Sequence, residues 1–345
     1  MASLVFVTQE ARTILKYGAI ISFFLVILFF VIRGLIYIQN VLYPKAPIPP
    51  KQEFGKLPQL IFPNQEASGI TYRINTVNGT LTNLPDRVDV YQLVQPQPDL
   101  LALDKTKRAI ASAYFTGEPV KITDALYQWT NEINGTTIQY NIVSKNFTIS
   151  SNYLDNPNFA SAYLLPDEIR IKADTSTFLR QVGVSQEDID LENSTVTYLQ
   201  LNGRLLVAAD NLGNAKYARV DLKQKAINKI PITYTTPTDS ILSLTISYPN
   251  NNYTPLEGQY YHYLPDLNQK SDYPVKTSEK AFQDLQNGNA QVINPLNLSS
   301  VDITGIEIQY YLNQNTSLFL QPIIVFKGIN FTAYVDAIPD SSLQQ

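Results

Sequence analysis

The chain opens on an apolar run unlike anything later in it. From Tyr17 to Ile32 no residue is charged, and Ile20 onward is nearly pure hydrocarbon; Arg33 interrupts, then Gly34 to Ile38 resume. Read as one helix, residues 17–38 extend about 33 Å at 1.5 Å per residue, enough to cross a hydrocarbon core of about 30 Å. Arg33 then lies about one turn from the end, where its stem can snorkel to the headgroups, and Tyr37 and Tyr43 suit the interface. No small-x-small site follows, Lys45-Ala46-Pro47 being a poor substitute, so the pattern predicts an uncleaved signal anchor held in lipid by residues 17–38. Arg12 and Lys16 precede the span, while Arg33, Lys45, Lys51 and Lys56 follow it. Literal counting places the long segment inside. Long domains translocate largely regardless of such counts, and a tail of residues 1–16 cannot fold alone. The expectation is a cytoplasmic tail at 1–16 and an extracytoplasmic bulk.

After the span, Pro44, Pro47, Pro49, Pro50, Pro58 and Pro63 sit among Lys, Gln and Gly. This composition favours extended, polyproline-like chain and predicts a linker over residues 39–65. The remainder alternates. Thr71-Tyr72-Arg73-Ile74-Asn75, Arg87-Val88-Asp89-Val90-Tyr91 and Thr137-Ile138-Gln139-Tyr140-Asn141-Ile142 show the period of two that marks strands with one buried face. Residues 128–153 read as a meander with turns at Asn134-Gly135 and Lys145-Asn146. Helical spacing appears three times. Residues 100–115 carry Leu103, Ile110 and Tyr114 on one face. A second helix starts at Pro166 with Asp167 and Glu168 in its first turn, turns Ile171, Phe178 and Val182 inward, and closes at Gly183. A short third covers 278–287 and stops at Gly288. The last strands read as a long pair, 302–312 and 318–335. The fold class that follows is α+β: a transmembrane helix and a Pro-rich stalk, then two β-rich α+β domains with antiparallel sheets, at residues 66–160 and 161–345.

Short motifs in this region resemble known envelope proteins. Residues 104–115, Pro119 to Asp124, Tyr127-Gln128-Trp129 and the hairpin ending Asn146-Phe147-Thr148-Ile149 are similar to the first ectodomain module of YycI/YycH-like proteins. The helix ending Phe178-Leu179-Arg180-Gln181-Val182-Gly183, with Thr197-Tyr198-Leu199, Ala218 to Leu222 and Ile227 to Ile232 after it, resembles a PepSY-like module. Residues 274–285 resemble the later helix of such proteins, and Leu320 to Phe326 their closing strand. The resemblance covers about residues 100–338. It implies a single-span anchor with a non-enzymatic ectodomain, one that acts by contacting a membrane or envelope protein partner such as a sensor kinase. It brings no functional residue.

Composition narrows the chemistry. The 345 residues include no Cys and one His, with a net charge of −4 and 16% charged residues. Zero Cys removes disulfides, thiolate nucleophiles and zinc–thiolate or iron–sulfur sites. Mild acidity argues against nucleic-acid binding. His262, within Tyr260-Tyr261-His262-Tyr263, could serve as a base, but three tyrosines in an apparent strand favour a packing role. Glu187, Asp188, Asp190 and Glu192 form the densest acidic cluster; the alternation could hold calcium, yet a central Gly and a twelfth-position Glu are missing, and a solvated loop fits better. Trp129 shares a strand face with Tyr127 and reads as core rather than sugar platform. Eight Asn-x-Ser/Thr sequons occur, at Asn78, Asn134, Asn146, Asn193, Asn252, Asn297, Asn315 and Asn330; Asn at turns with Ser/Thr in the strands that follow accounts for them. No residue is assigned to catalysis, to a cofactor or to a metal, and no cofactor is expected. The function expected is a non-enzymatic regulatory or interaction module of the cell envelope, with Tyr310-Tyr311 as a sample of exposed contact surface. The alternatives are an envelope hydrolase built on a carboxylate pair and a structural or adhesive surface protein.

Overall fold

A computed structural model of the chain describes residues 4–42, 49–63, 69–161, 163–236, 239–293, 299–313 and 318–344. It divides into two compact units, Met1–Pro49 and Pro50–Gln345. The first is helix α1 (Leu4–Leu42). Its segment Leu15–Gln39, 25 residues with no part buried, is the one helix among the described residues long and apolar enough to cross a membrane. At 1.5 Å per residue it spans about 37 Å. The Arg33 guanidinium lies 5.7 Å from the centre of the Phe29 ring, a cation–π contact made along the helix itself.

The second unit is mixed α+β. In chain order it contains β1 (Thr71–Ile74), β2 (Arg87–Leu93), α2 (Ala102–Ser112), β3 (Val120–Lys121), β4 (Leu126–Thr130), β5 (Thr137–Asn141), β6 (Phe147–Ser150) and α3 (Glu168–Gln181). There follow β7 (Ile189–Asn202), β8 (Leu205–Ala208), β9 (Tyr217–Gln224), β10 (Ile232–Thr233), β11 (Leu242–Ser247), β12 (Thr254–Tyr260) and β13 (Pro265–Pro274). The chain ends with α4 (Ser278–Gln286), β14 (Gln291–Ile293), β15 (Ser300–Tyr311), β16 (Phe319–Gly328) and β17 (Phe331–Asp336).

The helices end where their capping chemistry says they should. The Asp167 carboxylate accepts the Arg170 N–H at 2.8 Å, and the Thr277 hydroxyl accepts the Lys280 N–H at 3.2 Å, each satisfying an orphan donor of a first turn. Gly183 and Gly288 supply the left-handed residues that close α3 and α4.

Nine strands form a wholly antiparallel sheet in the order β3-β4-β5-β6-β12-β11-β9-β7-β8. Residues 128–153 are the meander expected. The face under α2 and α3 collects Trp129, Tyr140, Phe147, Val220, Leu244 and Tyr260 against Ile110, Ile171, Phe178 and Leu179. The second sheet has eight strands on the path β1-β15-β16-β17-β14, with β10 on β15 and with β2 joining β13 to β16; β1 and β10 run parallel to β15. The long closing pair is in fact three strands. Residues 318–335 fold back at Ile329-Asn330, Asn330 taking φ +54°, so that β16 pairs with both β15 and β17.

Two features depart from a simple reading along the chain. First, β6 pairs with β12, and β2 with β13 and β16, so the hydrogen bonding runs across the boundary expected between residues 160 and 161. Second, the proline-rich segment is not a free stalk. Residues 43–48 and 64–68 lie outside the described residues, but Pro50 onward belongs to the globular unit. Leu57, 0% exposed, packs with Val90, Tyr273, Ile338 and Leu343; Leu60 and Phe62 cover Ile323, Val325 and Tyr334. The backbone is laced down as well. Leu57 N–H donates to Ser342 O at 2.9 Å, Gln344 N–H to Leu57 O at 2.8 Å, the Tyr273 hydroxyl to Gly55 O at 2.8 Å and the Gln321 amide to Pro58 O at 2.9 Å. The segment turns once, at Gln52–Gly55, where Gly55 N–H donates to Gln52 O at 2.9 Å; its interspersed apolar residues decide that it adheres.

Under this strap lies Asp336, 9% exposed, with one oxygen accepting the Ile338 N–H at 2.9 Å and the other making no well-formed hydrogen bond among the described residues, the Leu60 N–H lying only near it. Burial pushes its carboxyl up to about 6, against the pull of the Ile338 and Leu60 N–H groups and of Lys276. Because the folded value exceeds the unfolded one, its stabilising contribution is complete below about pH 4 and is lost as pH rises through about 6. Asp336→Asn is expected to flatten that slope and to raise stability at pH 7 by roughly 2–3 kcal/mol, read from urea unfolding at pH 4, 5.5 and 7. Leu57→Ala, by emptying a fully buried site, is expected to cost about 2–4 kcal/mol in the same assay.

Candidate functional site

Two residue groups singled out in the sequence meet at one end of the nine-stranded sheet. Asp188 directly precedes β7, Gln224 ends β9, and the register places Ile189 opposite Gln224. His262 lies two residues beyond the end of β12, in irregular chain rather than in the strand expected. The ladders from β12 through β11 to β9 bring these ends together: Tyr260 is paired with Leu242, and Leu242 with Leu222.

His262 Nε2 is 2.7 Å from an Asp188 carboxylate oxygen, and the Gln224 amide donates to the same oxygen at 2.8 Å. Gln224 also donates to Tyr263 O at 3.0 Å and accepts the Tyr234 hydroxyl at 3.1 Å. The His262 backbone N–H donates to the Asn146 side chain at 3.1 Å, and the ring stacks on Tyr260 with centres 5.8 Å apart. Burial alone would raise the Asp188 carboxyl. The hydrogen bond and charge of His262, the Gln224 amide and its own backbone N–H outweigh that and hold it below the usual carboxylate range. Burial moves the Tyr234 hydroxyl the other way, well above the ordinary phenol value.

The remaining acids do not join this network. Asp190 turns to Asn193, accepting its side-chain amide at 2.7 Å and its backbone N–H at 3.1 Å, where β7 bulges away from β9. Glu187 and Glu192 contribute backbone carbonyls, to Lys225 at 2.7 Å and Lys172 at 3.4 Å. The solvated loop expected is therefore partly strand, because β7 begins at Ile189. Among the described residues no group of three or more His, Cys, Asp or Glu side chains could hold a metal ion.

Beside the network a cleft of about 410 Å³ opens between the two sheets, with Asp190, Lys223, Gln224 and Tyr234 on one wall and Gln309 and Lys327 on the other. Chemically, His262 and Asp188 form the base-and-orienter half of a nucleophilic triad. The other ring nitrogen meets no hydroxyl among the described residues, so the pair as built ties three strand ends together.

Other expected positions sort as follows. Trp129 is core, 6.0 Å from Tyr127 and 6.5 Å from Tyr140 between ring centres. Tyr310 and Tyr311 are not an exposed surface: both are buried, Tyr310 edge-on to Tyr91 at 5.7 Å and Tyr311 between Phe62 and Tyr334. Phe62 of the proline-rich segment covers β15 at Tyr311 and Tyr91 of β2 covers it at Tyr310, where an exposed contact surface was expected. Asn78, Asn134, Asn146, Asn252 and Asn330 lie in turns or irregular chain and Asn193 in β7, while Asn297 and Asn315 lie outside the described residues.

No family model matches the chain, and no curated protein matches it. Among solved structures it is similar to an uncharacterised protein from Eubacterium rectale ATCC 33656, at TM-score 0.39 and 10% identity over 79% of this chain and 82% of that one. It is also similar to YycH from Bacillus subtilis, at TM-score 0.33 and 11% identity, over 74% of this chain and 53% of that one. Neither likeness assigns a residue.

The depressed carboxyl has a definite sign. A folded value below the unfolded one supplies stability above about pH 4, lost as pH falls through the folded value. Asp188→Asn is expected to lower stability at pH 7 by roughly 1–3 kcal/mol and to flatten the acid limb of the pH profile, measured by urea unfolding from pH 7 to pH 3.

Proposed function

We propose that this chain is a single-pass, membrane-anchored module whose second unit faces away from the cytoplasm and regulates or assembles with another protein of the cell envelope. Leu15–Gln39 carries the reading: 25 residues, predominantly apolar with only Lys16 and Arg33 charged and with no part of the apolar window buried, suit lipid as the partner for that surface. Tethering confines a module to the membrane plane, where a weak contact with another membrane protein gains from high effective concentration. The short motifs over residues 100–338 that resemble PepSY and YycI/YycH-like proteins favour a non-enzymatic role. Residues 1–16 are then the cytoplasmic tail. The hydrolytic alternative would rest on a carboxylate pair or on His262 and Asp188, which meet at 2.7 Å beside the cleft that Gln224 lines.

Topology and partnership are tested together. Protease added to intact spheroplasts is expected to digest the second unit, and cross-linking in membranes followed by detergent extraction is expected to recover a membrane protein with the full chain but not with a variant lacking residues 1–42. Protection until lysis would reverse the orientation. Turnover of a peptidoglycan, peptide or ester substrate that His262→Ala abolishes would replace the regulatory reading with the hydrolytic one.

A further inference from the structure

At the end of the sheet remote from His262 lies a larger cavity of about 660 Å³. Its walls are the residues just past α2, the turn between β4 and β5, the short helical turn at Pro157–Phe159, the turn between β11 and β12, and the C-terminal half of α3. Six asparagines line it: Asn131, Asn134, Asn156, Asn158, Asn250 and Asn252. Several have their carbonyl ends already committed. Asn131 Oδ1 accepts the N–H groups of Ile133 and Asn134 at 2.9 and 3.3 Å, Asn134 Oδ1 that of Thr136 at 3.0 Å, and Asn156 Oδ1 that of Asn158 at 3.1 Å. Each amide is thereby fixed in orientation, and its NH₂ end meets no protein acceptor among the described residues. Thr136 also lines the cavity. Its hydroxyl, in a residue 1% exposed, has no hydrogen-bond partner among the described residues, the situation in which a bound polar group would satisfy it.

Aromatic surface completes the site. Phe115, Phe159 and Phe178 form its floor from the core, each only 2–3% exposed, Tyr253 is half-buried, and Tyr114 stands at its mouth, 67% exposed, as the ring open to a ligand. Tyr114 directly follows the C-cap of α2 with φ +67°, a place where glycine is at ease and a tyrosine is strained. Strain of that kind persists where the side chain has work to do. Among the described residues no lysine or arginine lines the cavity, and its one charged side chain, Asp174, accepts the Tyr248 hydroxyl at 2.9 Å.

From this combination we infer a binding site for a neutral oligosaccharide. Rigid amide donors suit the hydroxyl and carbonyl oxygens of a sugar rim, and aromatic rings suit its apolar faces. The absence of cations disfavours anionic polymers. An extended peptide would seek a free strand edge, but the strand residues here, Thr254 and Pro255, belong to β12, which is paired on both sides. The site is independent of the regulatory reading and is tested by binding alone.

The full chain, reconstituted in lipid nanodiscs so that no sugar detergent competes, is titrated calorimetrically with chitotetraose and with cellotetraose. An uncharged tetrapeptide and a sulfated tetrasaccharide serve as comparators. Saturable binding of a neutral sugar is expected, weakened roughly fivefold or more by Tyr114→Gly and by Asn158→Ala, the scale of one lost aromatic or polar contact. Tyr114→Gly should keep or raise the melting temperature, since glycine relieves the backbone, so loss of binding cannot be loss of fold. Absence of saturable binding to both neutral sugars at millimolar concentration, equal binding of the peptide, or unchanged affinity in both variants would each overturn the site.

Discussion

Strand β16 is buried on both faces for nearly its whole length, and the second sheet depends on having cover for each. On one side Ile324 and Phe326 pack under Ala281 and Leu285 of α4. On the other, Ile323 and Val325 meet Leu60 and Phe62 of the proline-rich strap. A strand this apolar cannot be left half solvated: each exposed Ile or Val would forfeit about 1.5–3 kcal/mol of burial and present a surface for aggregation. The segment from Pro50 to Pro63, which follows the long apolar helix in sequence, is therefore part of the second sheet's core.

On the opposite face, α4 is held by charge as well as by packing. Lys276, just ahead of the helix, reaches Asp284 at 3.0 Å with both side chains nearly buried, and Lys280 reaches the same carboxylate at 2.9 Å. Burial alone would raise Asp284; the two lysines hold it below its ordinary range. Such a pair contributes more to where α4 sits than to net stability, because desolvation offsets most of the attraction, yet removing one partner would strand a buried charge. Asp336, with one oxygen making no well-formed hydrogen bond among the described residues, is the less compensated member of this region.

Much of this architecture was legible in the sequence. The long apolar N-terminal helix, three further helices with their Asp167, Gly183 and Gly288 punctuation, the meander and the buried role of Trp129 follow from period, capping and turn chemistry. What local patterns do not carry is adjacency. Nothing at Asp188 announces His262, 74 residues away, because their meeting depends on strand order in the nine-stranded sheet. The strap was misread for a different reason. Proline count reports that a segment is neither helix nor inner strand, not what it lies on; the overlooked signal was the apolar residues Phe54, Leu57, Leu60 and Phe62 set among the prolines. Tyr310 and Tyr311 were placed on a surface by analogy with exposed tyrosines generally, whereas Tyr91 over the one and Phe62 over the other leave neither side chain free. Tyr114 was read as part of a helix face, whereas it follows the end of α2 and is exposed, and no local motif marks a cavity walled by five separate segments.

The two sites on the nine-stranded sheet are joined by one strand. β12 leaves the asparagine-lined cavity at Thr254 and reaches the His262 network just past Tyr260, with β6 and β11 paired along its sides. Its middle tolerates only glycine. A Cβ at Gly258 would lie 2.2 Å from Ser243 O and 2.8 Å from Leu244 Cα, so any side chain would push β11 and β12 apart. The close approach falls in the same hairpin as the register shift between Thr245 and Ile246, which lets the pairing begin from the turn at one register and finish at another. Packed this tightly, β12 has no slack with which to absorb a displacement at either end. Thr254 at one end and Tyr260 at the other are thus held in place by the same closely packed β11–β12 pairing.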